Sequence, residues 1–365
     1  MNPGFSRFSR ATMVAFHMDE IKAARASGLP HSSRRQVLAG IASGLLAPVL
    51  VGSTPASASA ADELRFTHAY GETVLPAPAR RVVSLGYTTH DALLALGVPP
   101  VANRYWFGDY PFGAWPWAQP YLDGTEPELL KGEVSIEKVA ALRPDLIVAI
   151  GSGISRAEYS VLSRIAPVLM QEARYPPYGT PWDALTRTVG RALGRSDEAE
   201  RLVAATYRTF ADARARNPLW AGRTAVAAYH MSGETGAFVG ADTRARFLAD
   251  LGFQPTPAIT RIAGPDGFYG ALSPEDLSPV DADILVWIAA FAMQDLVALP
   301  MRKTLRAYRE GREVVASPLV AGAMSYGSVL SLPFALKALE ADLTAAVDGS
   351  PETPVKSAVE AGLTS

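Results

Sequence analysis

The chain has 365 residues, 48% hydrophobic and 19% charged, which is enough apolar material for about two domains with ordinary cores. Lys+Arg 34 against Asp+Glu 36 leaves a net charge of −2. Within residues 1–60, Arg7, Arg10, Lys22, Arg25, Arg34 and Arg35 outnumber Asp19 and Glu20 (net +4), so the rest carries net −6 and lacks the basic footprint of a nucleic-acid binder. Cysteine is absent, which excludes disulfides, thiolate metal sites, Cys nucleophiles and a lipidated Cys anchor.

The first sixty residues read as an export signal. Ser33-Arg34-Arg35-Gln36-Val37-Leu38 is a twin-arginine pair at an apolar onset, and no charge follows until after Ala61. The apolar stretch Val37 to Gly52 is 16 residues long and interrupted by Gly40, Gly44 and Pro48. A membrane-spanning helix needs about 20 apolar residues, so a retained anchor is the weaker alternative. Ala58-Ser59-Ala60 offers a small-residue cleavage site. The expectation is a Tat-type signal peptide over residues 1–60, initiating at Met1, Met13 or Met18, and a mature protein from about Ala61 working outside the cytoplasmic membrane without a lipid anchor.

Arg81-Val82-Val83-Ser84-Leu85 is a short buried-strand run, followed by a helical pattern from Asp91 to Leu96 that Gly97 closes. Leu146-Ile147-Val148-Ala149-Ile150 is a fully apolar strand that ends in Gly151-Ser152-Gly153. Strands apolar on both faces, alternating with helices, predict parallel α/β sheet. The pattern then recurs. Ser135-Ile136-Glu137-Lys138-Val139 leading to Asp145-Leu146-Ile147-Val148 returns 138 residues later as Ser273-Pro274-Glu275-Asp276-Leu277 leading to Asp283-Ile284-Leu285-Val286. The preceding units also match, Arg81 with Arg223 and the helix ending at Gly97 with the one ending at Gly252; the second copy has 13 more residues between these anchors. Two copies at this spacing predict two similar α/β lobes, residues 61–180 and 218–347.

Residues 181–217 lie between the lobes. Ser196-Asp197-Glu198 starts a helix, Leu202, Val203, Thr206, Tyr207, Phe210 and Ala213 recur at three-four spacing, and Asn217-Pro218 ends it after Arg216. One helix of about 20 residues spans about 30 Å and joins the lobes stiffly. Residues 348–365 read as a flexible tail.

This organisation resembles the substrate-binding proteins of iron-siderophore and vitamin B12 ABC importers, the helical-backbone class, from about Leu64 to Val347. The residues that carry the resemblance are Arg81–Leu85, Ser135–Val148, Ser273-x-Glu275, Gly190–Arg195 and Ser331–Leu336. It implies two α/β lobes with parallel sheets, one connecting helix and a cleft between the lobes. It also implies a monomer that binds an iron(III)-siderophore, hands it to a membrane permease and has no catalytic residue, no cofactor and no metal site of its own. Glu137 and Glu275 match the pair of acids, one per lobe, that the family uses to dock on permease arginines. Both should start helices whose N-termini lie at the cleft face.

Ligands of parallel α/β sheets sit beyond the carboxyl ends of the strands. Those ends supply Tyr87, Arg104, Tyr105, Trp106, Ser152, Arg156, Tyr229 and Phe291 as candidate ligand-binding residues, and Arg244 and Tyr326 join them from later loops. Tyr105 to Tyr121 is the sharpest compositional anomaly, with eight aromatics in 17 residues broken by Pro and Gly. Its Phe112, Trp115 and Trp117 either pack the loop onto its own lobe or line the cleft. Arginines that stack on rings and grip oxygen pairs suit an anionic iron chelate.

Other motifs fail on inspection. Ser135-x-x-Lys138 lacks a downstream Lys-Thr-Gly, Gly322 to Gly327 is one residue too long for a nucleophile elbow, and no P-loop occurs. His68, His90 and His230 have no metal-ligand spacing. Two function classes remain: a binding component for a ferric siderophore, haem or a corrinoid, and, with less support, an exported hydrolase or esterase using the same cleft.

Overall fold

The computed structural model describes residues 64–262, 267–288 and 293–363. The signal-peptide reading of residues 1–60 and the candidate Phe291 lie outside the described residues. An antiparallel hairpin, β1 (Arg65–His68) and β2 (Gly71–Val74), precedes the first lobe. There β3 (Val82–Ser84), α1 (Thr89–Ala95), β4 (Ala102–Arg104), β5 (Glu128–Leu130), α2 (Ile136–Ala141), β6 (Leu146–Val148), α3 (Arg156–Leu162) and β7 (Val168–Leu169) follow one another. The strands lie in the order β5-β4-β3-β6-β7 and every neighbouring pair is parallel. β3 and β6 are buried throughout, β6 as its wholly apolar run requires. The chain enters at β3, moves out to β5 and returns beside β3. The strand order therefore reverses between β3 and β6, and that switch point opens a crevice at their carboxyl ends.

Two helices make the connection, α4 (Trp182–Ala192) and α5 (Ser196–Arg216). α5 has 21 residues and buries Ala199, Val203, Thr206, Phe210 and Ala213, the stripe its sequence spacing predicts. α4 packs on both α1 and α5, which anchors the start of the connection on the first lobe.

The second lobe comprises β8 (Ala225–Met231), β9 (Glu234–Phe238), α6 (Thr243–Asp250), α7 (Pro257–Ile262), β10 (Tyr269–Ala271), β11 (Ile284–Trp287), α8 (Met293–Ala298), α9 (Arg306–Arg309), β12 (Glu313–Val315), α10 (Pro318–Tyr326), α11 (Ser331–Val347) and α12 (Lys356–Glu360). Its sheet, β10-β9-β8-β11-β12, repeats the spatial order of the first. It is not wholly parallel, however: β8, β11 and β12 are parallel, whereas β9 runs antiparallel to both β8 and β10. The reason is local. Ser232 and Gly233, both at positive φ, form a two-residue turn that folds β9 straight back on β8. A lone parallel bridge, Thr224 to Gln254, stands where β4 pairs with β3 in the first lobe.

Two further expectations are corrected. Glu137 does sit in the first turn of α2, behind an Ser135 N-cap that accepts from the Lys138 N–H. Glu275 does not start a helix; it lies in a turn bracketed by the Ser273–Asp276 bridge, followed by a short 3₁₀ turn, Ser278–Val280. Pro279 explains the loss: it falls where α2 has Ala141, has no N–H to donate, and its ring would strike the carbonyl four residues earlier. The tail is also not free. Val355, Ala358 and Leu363 are buried, the Val315 N–H donates to Ser357 Oγ at 3.0 Å, and Arg302 reaches the Leu363 carbonyl. Three apolar side chains are enough to dock α12 on β12.

Candidate ligand-binding cleft

A pocket lies between the lobes. Tyr87, Trp106 and Gly151 line it from the first lobe, Tyr178 and Trp182 from the connection, and Arg244, Phe268 and Tyr326 from the second. Its walls enclose about 790 Å³ open to solvent. The envelope is in the range of a small-molecule site, and its shape is a narrow slot. Tyr87 and Thr88 lead into α1 at the switch point of the first sheet. Ala241, Asp242 and Thr243 lead into α6, the helix that the internal repeat makes equivalent to α1. The two lobes thus offer matching turns to one slot.

The charge in the slot is a closed pair. Asp242 caps α6, its Oδ1 accepting from the Arg244 backbone N–H at 2.8 Å and from Arg244 Nε at 2.9 Å. Arg244 Nη2 donates to Asp242 Oδ2 at 2.7 Å, and Nη1 donates to Ser325 Oγ at 3.1 Å. Both side chains are nearly enclosed, 4% and 2% exposed, and the guanidinium lies 3.8 Å over the Phe238 ring. A bidentate buried pair holds the arginine in one orientation, and the pocket side of its fork is what a ligand meets.

The sequence-predicted residues divide into three groups. Tyr87, Trp106, Arg244 and Tyr326 line the slot together. Arg104, Ser152 and Tyr229 stand immediately behind it. Arg104 stacks on Tyr87 at 4.4 Å and donates to the Ser152 carbonyl at 2.6 Å, so Ser152 positions the arginine. Tyr229 packs beneath Phe238, its ring filling the space a side chain at Gly236 would need, and burial pushes its phenol up to about 12. Tyr105 and Arg156 belong elsewhere. Tyr105 carries Lys131 over its ring at 5.1 Å. The Arg156 guanidinium covers Tyr70 at 4.8 Å and donates to the Tyr70 carbonyl on the outer side of the first lobe. Arg156 follows the glycine turn closely, but it opens α3, which carries it away from the slot.

Beyond Trp106, the aromatic loop neither packs on its own lobe alone nor lines the slot; its Trp115 and Trp117 bolt the lobes together. Trp115 and Trp117 stack at 5.0 Å and meet Tyr326 of α10 at 5.6 and 5.3 Å, while Trp117 also meets Phe334 of α11. Beneath them Asp91 of α1 accepts from Trp117 Nε1 at 2.8 Å and from the Ser328 hydroxyl of the opposite lobe. Asp91 is wholly buried, and that burial pushes its carboxyl up to about 7; the neighbouring His90, equally buried, is pushed down to about 4. Asp242, Tyr178, Trp182 and Phe268 are slot residues that the sequence reading missed. Tyr175 to Trp182 carries the same Pro- and Gly-broken aromatic signature as the 105–121 loop, which could have drawn attention to Tyr178 and Trp182. A wider groove of about 1430 Å³ runs between β1 and α4; there Arg187 pairs with Asp183 and Glu200, Arg174 pairs with Glu172, and Arg191 lies over the Phe66 ring.

Residues 82–318 match the family model described as periplasmic binding protein. The chain belongs to that family. It is a family of solute-binding proteins, not of enzymes. A curated relative from Bacillus subtilis, named "Probable siderophore-binding lipoprotein YfiY", is 27% identical over 229 residues, 60% of this chain and 67% of that protein. The "Ferric enterobactin-binding periplasmic protein FepB" of Escherichia coli is 32% identical over 169 residues, 44% of this chain and about half, 52%, of the relative. Among solved structures, a periplasmic solute-binding protein from Mycobacterium smegmatis is 31% identical, covers 78% of this chain and 98% of its own, and superimposes with a TM-score of 0.70. PiaA of Streptococcus pneumoniae, solved in complex with ferrichrome, shares the fold at a TM-score of 0.67 and 23% identity, covering 79% of this chain and 99% of its own.

Proposed function

We propose that this protein captures an iron(III)-siderophore outside the cytoplasmic membrane and delivers it to the permease of an ABC importer, with Tat-type export through residues 1–60. The observation that carries this reading is the interlobe slot, walled by Tyr87, Trp106, Tyr178 and Phe268 and holding an oriented guanidinium. Rings supply flat apolar walls to the organic arms of a chelate, and a fixed fork of N–H donors suits the oxygens around a ferric centre. The names of the B. subtilis and E. coli relatives point to the same ligand class.

Delivery rests on Glu137 and Glu275. Both are exposed, one on each lobe, although only Glu137 opens a helix. The backbone N–H of Glu137 and the Ser135 hydroxyl hold its carboxyl below the usual range, so it stays charged for a basic partner. The test pairs two measurements. Tryptophan-quenching titrations against ferric siderophores, haem and cobalamin should show saturable binding of a ferric siderophore. The Glu137→Lys, Glu275→Lys double variant should bind as wild type does and lose uptake in cells. Unaltered uptake by that variant removes the docking role, and saturable binding of haem or cobalamin alone replaces the siderophore.

A further inference from the structure

We propose that the slot selects its iron chelate by charge. It takes a complex of zero or one negative charge, such as an uncharged ferric tris-hydroxamate, in preference to a trianionic ferric tris-catecholate. This rests on the siderophore reading above and narrows it.

The warrant is a charge inventory of the walls. Only two ionisable acid or base side chains line the slot among the described residues, Asp242 and Arg244, and they are bonded to each other through two parallel contacts. A guanidinium already matched by a buried carboxylate still offers donors but contributes no net charge. Asp242 sits closer to its own arginine than a ligand can, so it also repels further negative charge from that spot. Behind the wall stand two further cations, Arg104 over Tyr87 and Arg246, whose fork donates to the Gly179 carbonyl between Tyr178 and Thr180. The remaining wall is tyrosine, tryptophan, phenylalanine, threonine and serine with small aliphatic residues, which provide ring faces and hydroxyls but no charge.

Chelate chemistry meets this wall unequally. Three singly deprotonated hydroxamates neutralise a ferric ion, whereas three doubly deprotonated catecholates leave a trianion. Moving a trianion into a slot with so few cations leaves charge buried and unpaired, which is costly. The negative faces of the rings add to the penalty. An uncharged chelate forgoes the ion pairing and loses nothing on desolvation of charge.

The experiment titrates the purified protein with an uncharged ferric tris-hydroxamate and a trianionic ferric tris-catecholate, at low and high salt, in wild type and in Asp242→Asn. Asn keeps an oxygen for the helix cap and for one arm of the arginine fork, and thermal unfolding of the variant is measured alongside because the buried guanidinium loses its carboxylate. The expected result is binding of the hydroxamate about tenfold or more tighter than the catecholate. Its affinity should barely change with salt, and in Asp242→Asn the ratio of the two affinities should move toward the catecholate by about tenfold. A catecholate that binds wild type as tightly as the hydroxamate overturns the charge selection and leaves siderophore capture standing. So does an unchanged ratio in Asp242→Asn. Failure of both chelates to bind overturns siderophore capture and the selection with it.

Discussion

Replacing Asp91 with Asn removes an acid that the fold holds where its charge is poorly tolerated. Asp91 is fully buried under Trp117 and Tyr326, accepts from Trp117 and Ser328 through Oδ2, and has only His90 Nε2, at 3.5 Å, near Oδ1. Desolvation outweighs those two hydrogen bonds and pushes its carboxyl from 3.8 up to about 7. An acid whose folded pKa is raised binds more protons folded than unfolded between those values, so its contribution to stability falls as pH rises through that window. A shift of roughly three units is worth about 4 kcal/mol in full, of which about 2–3 kcal/mol develops between about pH 5 and about pH 8. Asn keeps a carbonyl oxygen for Trp117 and Ser328 and does not titrate. His90, depressed to about 4, works in the opposite sense, with stability lost as pH falls below its unfolded value, but it is present in both proteins and cancels in their difference. Urea unfolding followed by tryptophan fluorescence should therefore show Asp91→Asn gaining about 2–3 kcal/mol on wild type between the two pH values. A stability difference that stays flat with pH would refute the reasoning. It would mean that water reaches Asp91 or that the lobes part in solution.

Three other outcomes follow from the same geometry. A Cβ at Gly322 would lie 2.4 Å from the Trp115 ring, so Gly322→Val should cost about 1–3 kcal/mol and lower the unfolding temperature; an unchanged temperature would separate α10 from the aromatic loop. Trp106→Ala should weaken ligand binding by about 2 kcal/mol in a quenching titration while Arg156→Ala leaves it at the wild-type value, and equal losses would misplace the slot. Because the Trp115–Trp117–Tyr326 stack and the Asp91–Ser328 bond join the lobes directly, small-angle scattering curves with and without ligand should superimpose; a marked compaction would show a hinge that the aromatic bolt forbids.

Apolar spacing made the bounds of α5 legible to the residue, and the fully buried β6 announced itself through an uninterrupted aliphatic run. The internal repeat correctly implied two sheets of one spatial order. What it concealed was the asymmetry. Ser232-Gly233 between two apolar runs is a hairpin signal that the repeat masks, because the first lobe has a helix at that stage. Pro279 similarly removes the helix that the Ser-x-Glu match suggested. The burial partners of single side chains, such as Arg156 over Tyr70 or Trp117 over Asp91, depend on contacts between residues far apart in the chain and leave no local trace.

The largest departure from the repeat is also the one that builds the site. The second copy carries 13 extra residues between its anchors, and the structure uses that length for the β8–β9 hairpin ahead of α6. β9 delivers Phe238 at its end, 3.8 Å beneath the Arg244 guanidinium, and Tyr229 of β8 supports Phe238 in turn at 5.3 Å. The turn that follows supplies Asp242, which caps α6 and fixes Arg244 in one step. In the first lobe the matching turn is short and presents Tyr87 with Arg104 over its ring. Each lobe therefore offers an arginine laid on an aromatic face, reached by different backbone routes, and in the second a built-in carboxylate holds the arginine in place. An insertion that lengthens one copy of a repeat is thus where a two-lobed cleft gains a second, chemically distinct wall.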